Sequence, residues 1–71
     1  MYSPAEKKLA HDIASALNDR LSIGLHLKYA QEVPHDVLRQ ALTKALAMDE
    51  ADVRTSRARI YVSIVERYLN P

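Results

Sequence analysis

The sequence predicts an all-α fold, a small bundle of three to four helices. Three observations lead there. The chain has one Gly, three Pro and no Cys in 71 residues, too little turn material for a β-sandwich or barrel. Apolar residues recur at helical spacing along most of its length. Helix start and stop signals stand at the candidate boundaries. With 48% apolar and 27% charged side chains, the composition is that of a single globular domain over 1–71, not of a disordered chain. A chain this short buries only about 60% of the surface its unfolded form exposes. Its core is therefore thin, and homodimerisation is one way to complete it.

The first helix starts at Ser3-Pro4-Ala5-Glu6, where Ser3 and Glu6 can cap each other and Pro4 suits the first helical position. Leu9, Ile13 and Leu17, with Ala10 and Ala14 beside them, form its apolar stripe. The turn-prone pair Asn18-Asp19 ends it. The next segment reads two ways. Leu21, Ile23, Leu25, Leu27 and Tyr29 alternate with polar or small residues, which is the period of a strand. Helix is the preferred reading, because a lone strand would have no partner and Lys28–Glu32 are acceptable helix formers. Val33-Pro34 closes this element and opens the third, whose stripe is Val37, Leu38, Ala41, Leu42, Ala45 and Leu46. Asp49 then reads as an N-cap, with Glu50 and Asp52 in a new first turn. The last helix is expected to run from there to about Leu69, with Val53, Ile60, Tyr61, Ile64, Val65, Tyr68 and Leu69 facing inward.

One patch stands out on that last helix. Arg54, Arg57 and Arg59 lie close together with Thr55 and Ser56 between them. On a continuous helix Arg59 faces the polar side, while Arg54 and Arg57 fall on the apolar arc. Buried charge is costly unless paired. Glu50 can pair with Arg54 along the helix, and arginine stems can cover apolar surface at a tapering core. The functional alternative is that Arg54, Arg57 and Arg59, helped by Thr55 and Ser56, hold phosphates of DNA or RNA. That makes the chain a small nucleic-acid-associated regulatory protein, the reading the sequence favours slightly, because plain folding does not require this Arg placement. A net charge of +1 argues for the competing class, since nucleic-acid domains usually carry a one-sided basic excess. In that class the chain is a protein–protein adaptor or oligomerisation module. It docks a partner helix, or a second copy, through Leu21, Leu25, Leu27 and Tyr29.

A strand at Leu21–Tyr29 followed by two helices resembles, in element order, the ribbon-helix-helix repressors. That likeness implies a DNA-binding dimer reading the major groove with Ser22, Gly24, His26 and Lys28. The long leading helix and the Pro-interrupted gap before the next helix depart from the family's pattern.

Catalysis is not expected. His11, His26 and His35 are scattered without metal-ligand spacing, and no Gly-rich loop exists to cradle a phosphate. The serines lack any sign of an activated nucleophile. Neither a metal nor a cofactor is implied. No run approaches the roughly 18 apolar residues of a membrane span. Met1-Tyr2-Ser3-Pro4 lacks the basic and apolar regions of a secretory leader, so the expected location is cytoplasmic.

Overall fold

Ser3 opens the first helix as its sequence suggests. The Ser3 N–H donates to Glu6 Oε1 at 2.7 Å, and the Glu6 N–H donates back to Ser3 Oγ at 3.1 Å, so two orphan amides are satisfied reciprocally. The computed structural model describes all 71 residues. It contains α1 (Pro4–Ala16), α2 (Ile23–Glu32), α3 (His35–Ala47) and α4 (Arg57–Leu69), with short 3-10 turns at Arg20–Ser22 and Glu50–Asp52. The all-α expectation is met.

α1 ends as Asn18 takes a left-handed conformation, φ 54°. The Asn18 N–H reaches the Ser15 carbonyl and the Asp19 N–H reaches the Ala14 carbonyl. These are the two bonds of a Schellman closure, with Asn in the place glycine usually fills. The chain reverses, and α2 packs back along α1. Val33-Pro34 then reverses it again into α3, which pairs with α4. Two helical hairpins thus share one core. It contains Leu9, Ala10, Ile13 and Leu17 of α1 and its cap, Tyr29 and Ala30 of α2, Leu38, Ala41 and Ala45 of α3, and Tyr61 and Val65 of α4.

Two readings from the sequence need correction. Residues 21–29 are a turn running into helix, which removes the strand on which the ribbon-helix-helix likeness rested. The last helix does not start at Asp49. The Asp49 side chain caps nothing, and only the 3-10 turn Glu50–Asp52 follows it. The backbone then extends, and α4 begins at Arg57 behind Ser56, whose Oγ accepts from the Arg59 N–H at 3.1 Å. The serine hydroxyl offers the backbone a cap that a helix running through Ser56 would forgo. Arg54, Thr55 and Ser56 therefore lie in a loop and at a cap, not on a helical face. The pairing of Glu50 with Arg54 is absent because the helix that would align them is absent.

No helix is long and apolar enough to cross a membrane.

Candidate docking groove between the second and last helices

The Arg-bearing segment divides three ways. Arg57 is half-buried and committed to the fold. One of its guanidinium nitrogens donates to the carbonyls of Ala45 at 2.8 Å and Met48 at 2.9 Å, with a longer contact to Leu46 at 3.2 Å. Ala45 and Leu46 belong to the last turn of α3, where carbonyls have no partner inside their own helix and carry the negative end of the dipole. Arg57 thus closes α3 from outside. This accounts for its place on the apolar arc. Arg54 and Arg59 are exposed and make no ion pair, and Thr55 is exposed. Ser56 Oγ accepts the Arg59 N–H as the α4 cap, which leaves its O–H free to donate.

α2 and α4 meet through side chains rather than through close backbone packing. Their middle sections are held apart by rings. Tyr61 stands 5.7 Å from His26 and 6.4 Å from Tyr29, centroid to centroid. The Tyr29 hydroxyl donates to Glu66 Oε2 at 2.7 Å, tying the two helices together. Toward the N-terminal ends of both helices lies an open groove of about 290 Å³. Leu25, Ala58 and Val62 form its half-buried apolar part, with Asp19 and Ser22 along one side and Ser56 and Arg59 along the other.

Asp19 is fixed in place. His26, 1% exposed, bonds through Nε2 to Asp19 Oδ2 at 3.0 Å. His26 Nδ1 and the Tyr61 hydroxyl are buried without a hydrogen-bond partner in the chain. Burial pushes the Tyr61 hydroxyl up to about 12. The Tyr29 hydroxyl also rises, through burial first and then through its hydrogen bond to the negative Glu66.

Of the residues expected to meet a partner, Leu21 is fully exposed at 103% and Leu25 lines the groove. Leu27 is half-buried against the core, and Tyr29 is buried within it. Sequence reasoning missed Ala58, Val62 and Asp19. The half-buried pair Ala58 and Val62 has the four-residue spacing of one helical face, but its relation to Leu25 depends on how α4 lies against α2. A second groove of about 300 Å³ separates α1 from α3, and its walls include Arg39 and the paired Lys8 and Asp12, 2.8 Å apart. No three His, Asp or Glu side chains gather as a metal site. Comparison with protein-family models, with curated proteins and with solved structures finds no match to this chain.

Proposed function

We propose that this chain is a non-catalytic docking module that receives an apolar side chain of a protein partner in the groove between α2 and α4. The observation that carries this reading is an open trough with an apolar floor of Leu25, Ala58 and Val62 inside a polar rim. An apolar centre within a polar rim is the anatomy of a protein interface. At about 290 Å³ the trough lies at the small end of the roughly 300–1,000 Å³ typical of ligand pockets. One large side chain suits it better than a cofactor.

The phosphate-binding alternative draws on Arg54 and Arg59, which lack carboxylate partners. It loses Arg57 to the closure of α3. The positive ends of α2 and α4 also converge where Asp19 already supplies a negative charge.

The test is selection of helical peptides on the immobilised chain from a random library. Selected peptides are expected to carry an apolar anchor and to bind Ala58→Leu, which fills the trough, at least about tenfold more weakly than the parent. Peptides that bind both proteins equally would overturn the reading. So would tight, steeply salt-dependent binding of random-sequence DNA or RNA that disappears in Arg54→Ala/Arg59→Ala, which would establish the nucleic-acid alternative.

A further inference from the structure

We propose that the occupant of the groove is Leu21 of a second copy of this chain, in a two-fold symmetric dimer; this rests on the docking reading above. Leu21 is the middle residue of the 3-10 turn Arg20–Ser22 and is fully exposed, at 103%. It is not on a loose loop. The Ser22 N–H donates to the Asp19 carbonyl, and the Asp19 side chain is held by His26. The turn therefore presents a large aliphatic side chain rigidly to water, which nothing inside the monomer explains.

Asp19, two residues before it, and Ser22, the residue after it, both line the groove. An apolar knob stands directly beside an apolar hole, the arrangement that a two-fold axis makes self-complementary. Leu21 of each copy enters the other's groove, against Leu25, Ala58 and Val62.

The charges agree with this pairing. Asp19 borders one side of the groove and Arg59 the other, and Arg59 makes no ion pair within the chain. A two-fold pairing that brings each Asp19 to the second copy's Arg59 would make opposite charges meet twice.

The surface area points the same way. The chain exposes 4913 Å², against roughly 4,450 Å² expected of a monomer of this mass. Covering about 800 Å² per partner, a standard interface, would more than remove the excess. The half-buried Ile23, Leu25 and Val62 would then complete their burial.

Sedimentation equilibrium of the full chain from about 1 µM to about 1 mM tests this. The parent is expected to show a concentration-dependent monomer–dimer equilibrium. Leu21→Asp should remain monomeric with unchanged helical circular dichroism, because the side chain supports nothing in its own monomer. Arg59→Glu, which turns both ion pairs into repulsions, should weaken the dimer at least about tenfold. A dimer indifferent to Leu21→Asp overturns the proposal. A parent that stays monomeric also overturns it, and the peptide selection then separates the two readings. If groove-dependent peptides are still captured, docking stands without self-association; if none are, both readings fail.

Discussion

Arg57 shows how one side chain can resemble a binding residue while serving the fold. It is charged, it neighbours two other arginines, and it falls on an apolar arc. The structure gives it three backbone carbonyls at the end of α3. Hydrogen bonds to a charged donor typically contribute about 1.5–3 kcal/mol when removal leaves partly buried acceptors unpaired. Arg57→Ala is therefore expected to destabilise the protein by about 2 kcal/mol in urea denaturation, whatever the ligand. Arg57→Lys should recover part of this, since an ammonium keeps the favourable charge but not the planar geometry. Equal stability of Arg57→Ala and the parent would show that water serves the α3 carbonyls as well. Loss of binding on replacing Arg57 is consequently no sign that it touches a ligand, in contrast to Arg54 and Arg59.

Among helices, α2 is the one built most against its own propensities. It has no side-chain cap and carries Gly24 near its start. Space does not require this glycine. A Cβ added there would meet nothing within 4 Å, and its φ is not positive. Gly24→Ala is thus expected to stabilise the protein by about 0.4–1 kcal/mol through a less disordered unfolded chain, read as a rise in the urea midpoint at constant slope. A loss of stability would mean that backbone freedom at this position matters.

Element boundaries also show what the residues disclose. The expectation of inward faces fails at Leu46, Tyr68 and Leu69, which are exposed at the helix ends, but the stripe Leu9, Ala10, Ile13, Ala14 and Leu17 is buried throughout, as are Leu38, Ala41 and Ala45 of the third helix. Helical period alone places them. The break at Val53–Ser56 is illegible for a local reason. Asp49, Glu50 and Asp52 form the more conspicuous start signal, while Ser56 lacks the Glu or Gln three residues later that would advertise a capping box. The role of Arg57 depends on where α3 ends in space, and no spacing rule encodes that. His26 is hidden likewise, since its partner Asp19 lies seven residues earlier, beyond any helical neighbour. Half of the groove, Leu25, stood in the expected contact segment, and the other half came only with the packing of α4.

At the scale of the whole molecule, the two buried tyrosines make stability depend on alkaline pH. Both hydroxyls ionise later in the folded protein than the ordinary value near 10, Tyr61 at about 12. Above pH 10 the unfolded chain releases these protons first, so stability is intact below that point and falls as pH rises toward 12. The slope is about 1.4 kcal/mol per pH unit for each tyrosine. Tyr61→Phe should flatten the loss by about half over this window. At pH 7 it should leave stability unchanged or up to about 1 kcal/mol higher, because the hydroxyl it removes is buried without a partner. Urea denaturation at pH 7, 10 and 11 checks both statements, and a parent whose stability is flat across the range would contradict them.

The handing of carbonyl ends from one helix to the next bears on how the chain is made. His35, first residue of α3, bonds the Ala30 carbonyl of α2 at 2.8 Å, and Arg57, first residue of α4, does the same for α3. A ribosome releases residues in order, so each of these helices is finished only when its successor has emerged. A nascent product halted before residue 57 keeps α3 frayed and lacks the helix that α3 packs against. Such fragments should be readily cut by proteases, and the four-helix architecture should appear only once α4 has emerged.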